Sequence, residues 1–65
     1  MTYDTKPRNF KAMSNTRLKQ ELIACDMWLE CQADQMTPEE IAVCRANRIA
    51  VKNLMRKRGL AEHAD

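Results

Sequence analysis

The stretch LKQELIACDMWLECQADQM, Leu18 to Met36, decides the fold. Its apolar residues recur at spacings of three, four or seven, which places them on one side of an α-helix. This first stripe consists of Leu18, Leu22, Cys25, Leu29 and Met36. A second stripe of Ile23, Met27 and Cys31 recurs every four residues on roughly the opposite side, and Trp28 lies on the flank between them. Because a surface helix needs only one apolar face, the second stripe predicts a second packing partner.

The composition is that of one small helical domain. The chain has 65 residues, a size at which a single core is marginal without disulfides, metal or oligomerisation. One glycine and two prolines are too few for a β-rich fold with many turns. We therefore predict an all-α protein.

Charge and cysteine content indicate the kind of compartment. The net charge of +2 is mildly basic and does not by itself indicate nucleic acid. No run of eighteen apolar residues occurs, and the first sixteen residues lack the apolar core of a secretory signal. The cysteines, Cys25, Cys31 and Cys44, include no CxxC pair, as is typical of reduced thiols. We expect a cytoplasmic protein that does not bind membranes.

The N-terminal residues 1–13 have no helical or strand period and are interrupted by Pro7, which predicts a flexible arm. Basic residues are interspersed there with aromatic ones: Tyr3, Lys6, Arg8, Phe10 and Lys11. Such a pattern can contact phosphates and bases, although this stretch is short.

Capping signals predict two helices. The N-cap residues Ser14-Asn15-Thr16 start helix 1, over about 15–35. Thr37-Pro38-Glu39-Glu40 offers a capping box with proline at the first helical position, so helix 2 is predicted over about 38–58. Gly59 is a candidate left-handed C-cap, and residues 61–65 are predicted to form a frayed tail.

The short loop between the helices predicts an antiparallel hairpin over residues 14–60. An isolated hairpin of this size buries too little to offset its chain entropy, which predicts a homodimer in the form of a four-helix bundle. The predicted apolar face for the dimer or for another partner consists of Ile23, Met27, Trp28, Cys31, Ile41 and Ile49.

A basic stripe follows helix 2. Its members are Arg45, Arg48, Lys52 and Arg56, extended by Lys57 and Arg58. One interpretation is a binding face for nucleic acid or for an acidic protein. The other is internal pairing with the acidic row of helix 1, in which Glu30 comes level with about Arg45 and Asp26 with about Arg48. Residues 56–58 have no such counterpart and are expected to reach outward.

Catalytic and metal-binding patterns are missing from the sequence. The only histidine, His63, lies in the tail, and there is no nucleophile–base arrangement or glycine-rich loop. The cysteines lack the close ligand pairs of zinc sites. We therefore expect neither an enzyme nor a cofactor. We expect a small interaction protein that binds and modulates or inhibits a protein partner, or alternatively a nucleic-acid-binding regulator.

The predicted architecture resembles that of small helical-hairpin proteins that dimerise into four-helix bundles, such as the plasmid RNA-binding regulator Rop. In type, the chain also resembles small phage or plasmid proteins that inhibit a host factor. Neither resemblance rests on a sequence motif, so no functional residue is carried over from them.

Overall fold

A computed structural model describes residues 3–60 of the chain. Two α-helices are present, α1 (Asn15–Cys31) and α2 (Pro38–Lys57), together with two single turns of 3₁₀ helix. The described residues contain no strand, which confirms the all-α prediction. Leu18, near the start of α1, packs in one cluster with Met55, near the end of α2, so the two helices run antiparallel as in the predicted hairpin.

The first helix begins at one of the predicted caps. The Ser14 hydroxyl accepts a hydrogen bond of 3.2 Å from the Arg17 backbone N–H. At its other end α1 stops at Cys31, earlier than the expected position near 35, and a 3₁₀ turn, Ala33–Gln35, follows it. This tighter turn brings Met36 into the core, where 8% of its surface is exposed.

Both predicted caps of α2 are confirmed. The Thr37 hydroxyl accepts from the Glu40 backbone N–H at 3.1 Å, while the Glu40 carboxylate accepts from the Thr37 backbone N–H at 2.8 Å. At the other end Gly59 has a φ of +73°, and the Leu60 N–H donates to the Met55 carbonyl at 2.8 Å. The positive φ of Gly59 and the bond from Leu60 to Met55 are those of a Schellman motif. This motif needs the left-handed conformation that glycine adopts without strain.

The core consists of two clusters of buried side chains. One contains Leu18, Leu22, Val51 and Met55, with Phe10, Met13, Leu54 and Leu60 packed against it. The other contains Tyr3, Cys25, Met36 and Cys44, with Trp28, Leu29, Ile41 and Val43 packed against it. The first stripe of α1 therefore faces the core, as predicted.

Residues 3–13, called the arm below, lie along one side of the hairpin and contribute to both clusters. A 3₁₀ turn, Phe10–Ala12, ends this segment just before α1. The division into a flexible arm, a hairpin and a frayed tail stays a prediction, and the tail, with His63, lies outside the described residues.

Neither helix within residues 3–60 combines the length and the apolar character that a membrane span requires.

Candidate interaction surfaces

The two flanks of the hairpin differ in what covers them. On one flank the arm packs against Trp28 of α1. The other flank, called the open face below, has a depression of about 340 Å³. It is lined by Asp26, Leu29, Glu30, Arg45, Arg48 and Ile49, all from the two helices. Since Asp26 and Trp28 are two residues apart, they point about 200° apart around α1, so the open face and the arm lie on opposite flanks.

Tyr3 anchors the arm. Its backbone N–H donates to a carboxylate oxygen of Glu40 at 3.1 Å, and its hydroxyl accepts from the Asn47 side-chain amide at 2.7 Å. Its ring meets that of Trp28 edge to face, with the centroids 5.5 Å apart. Only 5% of Tyr3 is exposed, so this residue of the arm is an integral part of the core.

A charge cluster holds the middle of the arm. Glu21 is 6% exposed and forms ion pairs with Arg8 at 2.9 Å and with Arg17 at 3.0 Å. The Arg8 guanidinium also lies 5.1 Å from the centroid of the Tyr3 ring, in a cation–π arrangement. A buried carboxylate requires such partners, and two guanidinium groups supply them here.

Arg58 holds the end of the arm. One terminal nitrogen donates to the Met13 carbonyl at 2.8 Å and to the Asn15 side chain at 3.1 Å, and the other donates to the Lys11 carbonyl at 2.9 Å. The sequence places Arg58 in an outward-reaching group, but its guanidinium is directed onto the arm. Arg56 and Lys57 are exposed.

Two of the three cysteine thiols are buried. Cys25 and Cys44 lie in the core, and the Cys44 thiol donates to the Cys25 carbonyl at 3.6 Å, whereas Cys31 is exposed. Burial raises the pKa of the Cys25 thiol to about 11, and burial likewise raises the pKa of Tyr3, whose hydroxyl is 4.0 Å from that thiol, to about 12. Both groups are neutral near pH 7, which suits packing and not nucleophilic chemistry.

On the open face, Arg48 pairs with Asp26 across the hairpin, with 2.5 Å between Nε and Oδ1. This hydrogen bond raises the pKa of Arg48. The pair is the internal contact that helical spacing predicts. Glu30 and Arg45 line the same depression, but no ion pair joins them among residues 3–60.

The predicted apolar face divides into two parts. Trp28 and Ile41 are half-buried against the core cluster that contains Tyr3. Ile23, Met27 and Ile49 remain 43%, 59% and 58% exposed, and Cys31 is exposed as well. The exposed members include Ile49, which lines the depression of the open face. The arm therefore covers Trp28, while Ile23 and Ile49 stay uncovered.

The basic stripe is divided in the same way. Arg45 is exposed and Lys52 half-buried, while Arg48 and Arg58 form the contacts described above.

Within residues 3–60 no group of three or more histidine, cysteine, aspartate or glutamate side chains is arranged to hold a metal ion.

Sequence reasoning missed the roles of Tyr3, Arg8 and Glu21. The sequence of the arm shows basic and aromatic residues together. It has no helical or strand period, so it does not indicate which side of the hairpin the arm contacts. The only signal for Glu21 in the sequence is its position, since it is a charged residue directly before Leu22 of the core-facing stripe.

Comparison of the chain with protein-family models, with curated proteins and with solved structures finds no match in any of the three.

Proposed function

We propose that the chain is a non-enzymatic helical interaction protein that binds and modulates or inhibits a protein partner through its open face. Association of two copies into a four-helix bundle is part of this proposal. The observation that carries it is the exposure of Ile49, 58%, beside the charged side chains of the depression on the open face.

The support comes from the contrast between the two flanks. On the arm side, Tyr3, Glu21 and Arg58 are each satisfied by contacts within the chain. On the open face an apolar side chain lies among charged ones, an arrangement of apolar centre and polar rim that resembles a protein–protein interface. Single exposed apolar residues are ordinary, but Ile23 and Ile49 are both exposed, and helical spacing puts Ile23 on the same side of α1 as Asp26 and Glu30 of the open face.

The charge of α2 favours a partner with acidic groups. Arg45 and Arg56 are exposed, and Lys52 lies between them at helical spacing. Complementary charge would orient such a partner and speed its association.

A capture experiment tests the proposal. The tagged protein, Ile49→Glu and Ala50→Glu are each incubated with lysate treated with nuclease, and bound proteins are compared. Ala50 is the matched control because it is also exposed, neighbours Ile49 and lines a depression beside Phe10 on the arm side. We expect a specific protein to be retained by the wild type and by Ala50→Glu, and lost by Ile49→Glu. Equal retention by all three would contradict the open face as the binding surface.

A second candidate is a nucleic-acid-binding regulator, favoured by the exposure of Arg45, Arg56 and Lys57 on α2. Its distinguishing property is steep salt dependence, because each phosphate contact releases counterions. Capture that disappears after nuclease treatment, together with a log–log salt slope close to the number of phosphates contacted, would favour this candidate over a protein partner.

A further inference from the structure

The open face carries its charges in two rows of opposite sign. α1 contributes Asp26 and Glu30, four residues apart, and α2 contributes Arg45, Arg48 and Lys52 at spacings of three and four. Among residues 3–60 the hairpin uses only Asp26 and Arg48 for an ion pair on this face. Glu30 is near enough to Arg48 to help raise the pKa of that guanidinium, but neither Glu30 nor Arg45, which line the same depression, forms an ion pair among residues 3–60.

We propose that the open face is covered by a second copy of this chain, related by a twofold axis parallel to the helices, so that α1 of each copy lies on α2 of the other. This inference rests on the proposed function, because it names a second copy as an occupant of the same face, with which any other protein that binds there competes.

Charge complementarity selects this arrangement. Two identical hairpins can meet face to face about a twofold axis that runs either parallel to the helices or across them. With the axis across the helices, α1 meets α1 and α2 meets α2, so acidic rows oppose acidic rows and basic rows oppose basic rows. With the axis parallel to the helices, the acidic row of each copy meets the basic row of the other, in two equivalent seams. Juxtaposed like charges disfavour the first arrangement.

The register of these seams follows from the contact between Asp26 and Arg48. A rotation about an axis parallel to the helices leaves each residue at its own height, so residues that are level within one hairpin are also level across the dimer. Glu30 lies one helical turn nearer the loop than Asp26. The residue of α2 at that height is Cys44, and Arg45 follows it directly in the chain. Glu30 therefore faces Arg45 of the second copy.

The same register brings the exposed isoleucines together. Ile23 lies three residues before Asp26 and seven before Glu30, so it shares their side of α1. Its height on the hairpin is within one turn of Ile49. In the dimer Ile23 packs against Ile49 of the second copy, and two such contacts cover side chains that are 43% and 58% exposed in the single chain.

Two charge-reversed variants test the arrangement when they are mixed. In homodimers of Glu30→Lys, and also in homodimers of Arg45→Glu, both seams bring like charges together. In a heterodimer of the two variants, Lys faces Glu in one seam, while the native Glu30 and Arg45 face each other in the second. We expect each variant alone to dimerise at least tenfold more weakly than the wild type, and an equimolar mixture to recover nearly wild-type affinity as heterodimer. Sedimentation measures the affinities, and native mass spectrometry identifies the heterodimer by its mass.

Mixing separates contacts between chains from contacts within one chain. Pairing of Glu30 with Arg45 inside the hairpin would be restored in the double variant but not by mixing two single variants. Lys57→Glu is the matched control, because Lys57 is exposed and lines a depression on the arm side, and it should dimerise like the wild type. Circular dichroism establishes that each variant remains helical.

Three results would overturn the inference. They are a wild-type monomer at 100 micromolar or more, a mixture that yields only the statistical share of heterodimer, and a Glu30→Lys variant that by itself dimerises at least as tightly as the wild type. The last result would indicate that α1 lies on α1, because the substitution would then place a positive charge opposite an acidic row. If the protein is monomeric but still captures a protein through Ile49, this inference fails while the proposed function stands.

Discussion

The side-chain amide of Asn47 donates a hydrogen bond of 2.7 Å to the hydroxyl of Tyr3, which lies 44 positions earlier in the chain. Asn47 falls on the core-facing side of α2, where an amide without a partner would destabilise the fold. The Tyr3 hydroxyl supplies that partner, and the Tyr3 ring covers the cluster that contains Cys25 and Cys44. The arm thus completes the core of the hairpin.

Removal of the Tyr3 side chain should destabilise the fold. We expect Tyr3→Ala to lower the free energy of unfolding by about 3 kcal/mol, since a buried aromatic ring is lost, and Tyr3→Phe to lower it by about 1 kcal/mol, since the hydroxyl loses its hydrogen bond from Asn47 and its contact with the Cys25 thiol. Urea unfolding followed by the fluorescence of Trp28, the only tryptophan, measures both changes. Thr5→Ala, at an exposed position of the arm, is the control and should change stability by less than about 0.5 kcal/mol. A neutral Tyr3→Ala would mean that the arm does not pack on the hairpin in solution.

Alkaline pH should weaken the packing of Tyr3 against the hairpin. Burial raises the pKa of Tyr3 from 10.0 to about 12 in the folded state, so its contribution to stability is complete below pH 10 and is lost as the pH rises to 12. Burial also raises the pKa of Cys25, from 9.0 to about 11, so its contribution to stability is likewise lost between pH 9 and 11. Tyr3 is the only tyrosine, so tyrosinate absorbance reports on it alone. A midpoint near 10 in the native protein, equal to that in urea, would contradict the burial of Tyr3.

Arg58 should contribute to stability although it lies in a basic run at the end of a helix. Arg58→Ala removes hydrogen bonds to the Lys11 and Met13 carbonyls, and we expect it to lower the free energy of unfolding by about 1–2 kcal/mol. Lys57→Ala is the matched control, since Lys57 is exposed, and should cost less than about 0.5 kcal/mol. Arg58→Lys should recover only part of the loss, because an ammonium group lacks the fork of donors that reaches both carbonyls. Equal urea midpoints for the two alanine variants would show that Arg58 does not hold the arm.

Gly59 tests the end of α2 without interference from packing. A Cβ at this position would meet no atom within 4 Å, so the cost of Gly59→Ala arises from the backbone alone. With φ at +73°, we expect a loss of about 1–2 kcal/mol in the free energy of unfolding, and a smaller loss for Gly59→Asn. Thermal or urea unfolding of the two variants measures the difference. An alanine variant as stable as the wild type would be inconsistent with a left-handed residue at this position.

The sequence alone determined the local features of the protein. The spacing of Leu18, Leu22 and Cys25 predicted the core-facing side of α1, and Thr37 with Glu40 predicted the start of α2. Each of these features depends on residues within a few turns of one another, where the helical period and the capping bonds act directly. The pairing of Asp26 with Arg48 was also predictable, because a short loop fixes which parts of the two helices are level.

The tertiary structure alone decided which flank is covered. The contacts of Tyr3 with Glu40 and Asn47 and of Arg58 with Lys11 join residues 37, 44 and 47 positions apart. No local period encodes such contacts, because they depend on where the arm finds complementary side chains after the hairpin has formed. The same packing directs Arg58 inward and covers Trp28, while it leaves Ile23 and Ile49 exposed on the opposite flank.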